Sequence, residues 1–333
     1  MKVLVTGASG LLGGQTALAL AERGDDVTVL QRRPAGLGLR EVLADVADAE
    51  AVGRAVQGHE AVLHLAAKVN ITGPEAEYRR ANVEGTRAVV DACRHAGVQR
   101  LVNVSSPSVA HAGASLVGAG AGPADPAAAR GPYARSKAEA ELIALAADSE
   151  ALAVLAIRPH LVWGPNDTQL VTRIVERGRS GRLPLFGAGA VLVDTTVVDN
   201  AVDALVAAVD HCHPDDVHGE ALVVSNGEPR PIGEILAAMC RAGGAPEPQR
   251  HIPVPVAASA GRVAEWLWSL RPGDDQDPPL THFLVEQLST AHWFDQRRTR
   301  EALQWRPRVS LDEGFAALAA WYADGAPDRL RRS

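Results

Sequence analysis

Met1-Lys2-Val3-Leu4-Val5-Thr6-Gly7-Ala8-Ser9-Gly10-Leu11-Leu12-Gly13 is the stretch on which the fold turns. Val3-Leu4-Val5 is an unbroken apolar run, the mark of a strand buried on both faces. A GxxGxxG pattern follows, and an apolar helical pattern over 11–23 begins at once. Gly7 permits a tight turn out of the strand, Gly10 lets backbone N–H groups approach a pyrophosphate, and Gly13 lets the helix pack closely on the strand. The helix N-terminus adds partial positive charge for the phosphates. Such a glycine pattern is weak alone; its place between a strand and a helix makes it a dinucleotide-binding turn.

The same rhythm continues outward. Apolar runs at 27–31, 61–65, 101–104 and 153–157 alternate with helical stretches at 48–57, 75–96 and 132–147. This predicts an α/β fold, a Rossmann-type doubly wound parallel sheet whose ligands bind beyond the carboxyl ends of the strands. Residues 107–131 are rich in Ala, Gly and Pro, too long for an ordinary connection, and expected to form a mobile loop near the site. After Asn166 the alternation fails and prolines punctuate the chain, which suggests a smaller, irregular C-terminal substrate domain. The expected division assigns 1–165, with about 192–226 returning to it, to the nucleotide-binding domain, and 166–191 with 227–333 to the substrate domain.

Composition narrows the function classes. The 333 residues are 47% hydrophobic, enough for a large core, and carry 33 basic against 40 acidic groups, a net charge of −7. An acidic chain without a long basic run is a poor nucleic-acid binder. Cys93, Cys212 and Cys240 form no CxxC pair, so neither a disulfide framework nor a metal site is expected, and a reducing cytoplasm fits. There is no leader-like start and no apolar run of about 18 residues, so neither a secretion signal nor a membrane span is expected. Residues 254–288, with Trp266, Trp268 and Phe283, read equally as an apolar lid, a peripheral membrane contact or ordinary core.

The end of the second strand bears on the cofactor. NAD sites usually place an acid there for the adenosine ribose; here Val27-Thr28-Val29-Leu30 runs into Gln31-Arg32-Arg33. Two guanidiniums suit a 2′-phosphate, so NADP(H) is expected over NAD(H). Asp45 is placed either to meet the adenine amino group or to cap the next helix.

Tyr133-Ala134-Arg135-Ser136-Lys137 carries the chemistry. At i and i+4 on a helix, the phenol and the ammonium share a face, and a cation beside a phenol favours its ionised form. With three tyrosines in the chain and lysine only at Lys2, Lys68 and Lys137, chance is a poor explanation of the spacing. Leu101-Val102-Asn103-Val104 ends in Ser105-Ser106, and either hydroxyl is placed to hold a substrate oxygen beside the phenol.

Together these residues resemble the extended short-chain dehydrogenase/reductase family. The likeness runs from the glycine loop through His64-Leu65-Ala66-Ala67, Asn82-Val83-Glu84-Gly85-Thr86, Ser105-Ser106 and Tyr133-x-x-x-Lys137 to Arg158-Pro159-His160. Within it, Ala67-Lys68-Val69-Asn70-Ile71-Thr72-Gly73, the stretch from Arg158 to Pro165 and the stretch from Trp305 to Gly314 resemble the 3β-hydroxysteroid dehydrogenase-like branch. Among its members they are most similar to the 2-alkyl-3-oxoalkanoate reductases of bacterial long-chain olefin biosynthesis.

The resemblance implies an NADPH-dependent reductase of a β-keto group on a hydrophobic substrate, a long-chain β-keto acid or a sterol. The alternatives are a steroid or sterol 3β-dehydrogenase and a sugar-nucleotide epimerase or dehydratase. Tyr133 would be the acid/base, Lys137 would bind the nicotinamide ribose, and Ser106 would orient the substrate oxygen. Cofactor contacts would come from Gly7, Ser9, Gly10, Leu11, Leu12, Gly13, Arg32, Arg33, Asp45, Val46, Ala66, Ala67, Lys68, Ser105, Tyr133, Lys137, Pro159 and Leu161. Asn82 would brace the catalytic helix, while Lys68, Ser106 and His160 would face the substrate, with Lys68 and His160 candidates for its carboxylate. By analogy the protein would be a homodimer through the 75–96 and 132–147 helices, within a biosynthetic assembly.

Overall fold

A computed structural model describes residues 1–69, 73–111, 113–269 and 282–325. Asn70, Ile71 and Thr72 of the branch-specific stretch lie outside these residues. So do the side chains of Trp266, Trp268 and Phe283, on which the lid, membrane and core readings depended.

Seven strands form the main sheet: β1 (Lys2–Thr6), β2 (Asp26–Gln31), β3 (Arg40–Leu43), β4 (Ala61–His64), β5 (Arg100–Val104), β6 (Ala153–Pro159) and β7 (Glu220–Val224). Their order is β7-β6-β5-β4-β1-β2-β3, and every pairing is parallel. The strand order reverses between β1 and β4, the switch point where an open α/β sheet presents its ligand crevice.

The uninterrupted apolar strands follow from burial on both faces. Val3 and Val5 join one core with Ala17 and Leu20 of α1 (Leu11–Glu22) and Leu205 and Val209 of a later helix (Val198–His211). Leu4 joins the opposite core with α2 (Ala49–Val56) and α3 (Gly85–Ala96). Each such leucine or valine contributes about 1.5–3 kcal/mol of hydrophobic stabilisation. The catalytic motif starts α4 (Gly131–Leu145), with proline in the first turn, where its missing N–H costs nothing.

Three features depart from the sequence expectation. β3 is an additional edge strand, mostly exposed, and too polar for its periodicity to announce it. A π-helical turn at Arg79–Glu84 interrupts the expected helix over 75–96 and carries Asn82. Residues 107–131 are no free loop. Pro107–Ala110 is a 3-10 turn capped by Ser106, and Leu116–Ala119 pairs in parallel with His292–Phe294. A strand this short, with its partner near the far end of the chain, leaves no local periodicity to read.

A third core gathers Trp163, Val175, Val193, Ile235, Leu311 and Leu318 beyond the sheet. Trp163 stacks on Phe315 with ring centroids 4.5 Å apart and donates its indole N–H to Thr195 Oγ1 at 2.9 Å.

Candidate active site

The nucleotide end is built by steric necessity. Gly7 has φ +80°, and a Cβ there would lie 2.7 Å from the Ala66 nitrogen, so only glycine lets the β1 and β4 exits approach. A Cβ on Gly13 would meet the Gly7 carbonyl oxygen at 2.5 Å. Gly10 differs: its Cβ would find nothing nearer than 3.5 Å, so the space above it is open. Ser9 and Gly10 are exposed and Leu11 and Leu12 half-buried, and no side chain caps the first turn of α1, whose N–H groups have no partner within the helix. Thr6 Oγ1 accepts from the Ala66 N–H at 3.1 Å and hydrogen-bonds His64 Nδ1 at 2.8 Å, while His64 Nε2 reaches Thr86 Oγ1 at 3.0 Å. Burial pushes His64 down to about 3, so this tie between β1, β4 and α3 stays neutral.

Arg32 and Arg33 stand exposed just past β2 and engage no acid among the described residues. Gln31 and the Ala35 N–H instead hold the Glu41 carboxylate of β3, with Ala35 at 2.8 Å. For Asp45 the helix-capping alternative fails. Asp48 caps α2, accepting from Glu50 and Ala51, while Asp45 accepts from the Ala47 N–H at 3.0 Å and pairs with Arg80 at 3.2 Å. The next residue, Val46, packs where a Cβ on Gly85 would otherwise sit.

The catalytic candidates converge at the carboxyl ends of β5 and β6. Tyr133 lies beside Ser106; burial raises the phenol above its usual range, and the Ser106 hydroxyl opposes the shift. The expected lowering by Lys137 is therefore not what dominates. Lys137, only 5% exposed, donates its Nζ to the Val104 carbonyl at 2.6 Å, and burial brings it down to about 8. Ser106 Oγ also meets Ser108 Oγ at 2.9 Å, a second hydroxyl the sequence reading passed over. Ser105 is buried with an Oγ that finds no hydrogen-bond partner among the described residues, the kind of orphan a bound ligand satisfies.

Asn82 braces the helix as the resemblance implied. Its Nδ2 donates to Ser136 Oγ at 2.9 Å, its Oδ1 accepts from the Lys68 N–H at 2.7 Å, and Ser136 Oγ donates to the Tyr133 carbonyl at 2.9 Å. Sequence reasoning missed the fully buried Arg158–Glu141 pair, in which Arg158 Nε meets Glu141 at 2.8 Å while Nη1 holds the Ala121 carbonyl. Glu141 lies i+4 from Lys137, so the YxxxK spacing extended by one more turn was its available signal.

The two carboxylate candidates are differently placed. The Lys68 ammonium already pairs with Glu77 at 2.7 Å. His160 is buried and brought down to about 4, and its Nδ1–H donates to the Asp194 carbonyl, so it is neutral and spends a proton on the backbone. Nearby, His111 Nε2 meets His292 Nε2 at 2.9 Å. Pro159 is half-buried beside this group, and Leu161 adopts φ 44°, a strained conformation of the sort found at functional sites.

Open space above Gly10, the uncapped first turn of α1 and the orphan Ser105 hydroxyl fit a bound dinucleotide. The comparisons agree, since residues 3–224 match the model of the NAD dependent epimerase/dehydratase family. The chain belongs to that family. It is an extended short-chain dehydrogenase/reductase, and an NAD(P)-dependent oxidoreductase. A 2-alkyl-3-oxoalkanoate reductase of Stenotrophomonas maltophilia is 42% identical, over 96% of this chain and 99% of that protein. A decarboxylating sterol-4-alpha-carboxylate 3-dehydrogenase of Mus musculus is 30% identical, over 94% of this chain and 88% of that protein. In fold, MoeE5, solved with UDP-glucose and NAD, superposes with a TM-score of 0.76 at 25% identity, covering 98% of this chain and all of that one. Among the described residues no helix is long and apolar enough to cross a membrane.

Proposed function

We propose that this oxidoreductase is an NADPH-dependent reductase that converts a 2-alkyl-3-oxoalkanoate to the 2-alkyl-3-hydroxyalkanoate. The observation that carries the reading is the end-to-end 42% identity to a reductase of that name, joined to the placement of Tyr133 beside Ser106 at the mouth of the nucleotide crevice. A bound NAD(P)H supplies hydride to the ketone carbon. Ser106 holds the ketone oxygen, and Tyr133, kept protonated by burial, donates its proton there. Lys137, fixed to the end of β5, holds the ribose and returns a proton toward Tyr133. Arg32 and Arg33 receive the 2′-phosphate, and Asp45 the adenine.

Of the two carboxylate candidates Lys68 is the better fitted, exchanging Glu77 for the substrate, because His160 has no free proton to offer. The names of the two relatives share one chemistry: each places a carboxylate on the carbon next to the oxygen-bearing one. A 3β-hydroxysterol acid is therefore the second reading.

The same proposal divides the chain as the sequence suggested, into a nucleotide unit (1–165 with 192–226) and a substrate unit. Support comes from the return of β7 to the main sheet and from the third core. Pairing of two copies through α3 and α4 in the cytoplasm, within a biosynthetic assembly, completes it; Leu142 on α4 is 44% exposed and suits such a face.

The test offers purified protein a long-chain 2-alkyl-3-oxo acid, a 3-ketosteroid acid and a UDP-sugar, each with NADPH or NADH. It follows nicotinamide absorbance for the first two and, because its conversion is redox-neutral, chromatography of the sugar product for the third. Consumption of NADPH with the oxo acid is expected. Turnover with the UDP-sugar alone would overturn the reading.

A further inference from the structure

Between the turn that follows Ser106 and the strand His292–Phe294 lies a cavity of about 240 Å³. Pro107, Val109, Leu116, Val223 and Phe294 form its apolar walls, and the backbone of 120–123 closes one side. Among the described lining residues Asp125 is the only charged one. Its Oδ1 accepts from the Ala127 and Ala128 N–H groups at 2.9 and 3.1 Å, which ties the carboxylate to the local backbone. Ala110 narrows the cavity from the turn, 3.7 Å from where a Cβ on Gly122 would sit.

Both ends of this lining adjoin the reaction site. Pro107 is bonded to Ser106, which lies beside Tyr133. Phe294 packs edge-on against His160, with centroids 4.9 Å apart, and His160 directly follows Pro159. A pocket lined mainly by apolar atoms gains from taking a hydrocarbon in place of water. Its volume falls below the ~300 Å³ at which pockets begin to enclose drug-sized ligands. That suits a flexible chain and not a fused ring system.

We propose that this cavity receives one alkyl arm of the substrate, so that Ala110, Leu116 and Phe294 set the chain length accepted. The inference rests on the reductase reading for the arm's identity, not for the cavity's affinity for alkyl chains.

Two variants and two readouts test it. In Ala110→Leu the ratio of kcat/KM for long-armed over short-armed 2-alkyl-3-oxo acids should fall at least tenfold. In Val223→Ala, which enlarges the space, the preferred arm should lengthen. Independently, dodecanoate binding measured by calorimetry should weaken at least tenfold in Ala110→Leu. Folded variants with the wild-type chain-length profile and wild-type dodecanoate affinity would overturn the proposal. If no oxo acid is turned over by the wild type, the reductase reading fails, and the dodecanoate comparison still decides the cavity.

Discussion

Lys137 donates its ammonium proton to the Val104 carbonyl at 2.6 Å, tying α4 to the last residue of β5, immediately before Ser105 and Ser106. A buried ammonium so held loses solvation, and its pKa comes down to about 8. Two pH effects of opposite sign follow. If the charged form is the active one, kcat/KM should decline as pH rises through about 8. Over the window between about 8 and the ordinary lysine value, the unfolded chain binds more protons than the folded one, so this group's contribution to stability rises with pH. Lys137→Met should abolish both slopes. A pH–rate profile that stays flat to pH 10 in the wild type would refute the role given to this amine.

Tyr133→Phe removes one oxygen from a half-buried site and leaves the helix intact. Positioned proton transfer typically contributes about 10²–10⁴-fold. Turnover should fall by that order, while NADPH affinity, read from nicotinamide fluorescence, stays within about twofold. Retained turnover would remove Tyr133 from the mechanism.

Arg32→Ala with Arg33→Ala should raise the Kd for NADPH at least tenfold and leave NADH nearly unchanged, because only the 2′-phosphate distinguishes the two. The loss should shrink at high salt, since both groups are exposed. An equal loss for both cofactors would assign the arginines to the pyrophosphate or to the fold.

Most of the sheet was legible because strands buried on both faces are written as unbroken Val, Leu and Ile. Val3-Leu4-Val5 and Val154-Leu155 show it: adjacent residues supply opposite cores. The glycine loop and Tyr133-x-x-x-Lys137 were legible because each chemistry demands a fixed spacing. Arg40–Leu43 was not, since an edge strand with one face in water needs few apolar residues. Leu116–Ala119 escaped for another reason, its partner His292–Phe294 being visible only once the chain is folded. The direction of the Tyr133 shift was not legible, because a sequence shows a cation at i+4 and hides the desolvation that raises the phenol.

Gly7 and Gly10 look alike in sequence and should separate in the laboratory. Gly7→Ala puts a side chain at φ +80° and 2.7 Å from backbone, a strain of about 1–3 kcal/mol, so the melting temperature should drop by several degrees. Gly10→Ala meets nothing within 3.4 Å, and its φ of −88° suits any residue. Its melting temperature should hold while cofactor affinity falls, because the new methyl occupies space the phosphates need. Equal destabilisation by the two would contradict the open crevice above Gly10.

Glu141 and Arg158, each 1% exposed, form an ion pair one helical turn beyond Lys137. Glu141→Gln strands the guanidinium without a counter-charge, and breaking a buried pair in this way typically costs about 3–5 kcal/mol. The carboxylate also raises the Lys137 pKa against desolvation, so its loss should move the alkaline fall in kcat/KM to lower pH. A destabilised variant whose pH–rate profile is unmoved would make the pair purely structural. A shifted profile would make Glu141 a positioning residue that acts through Lys137.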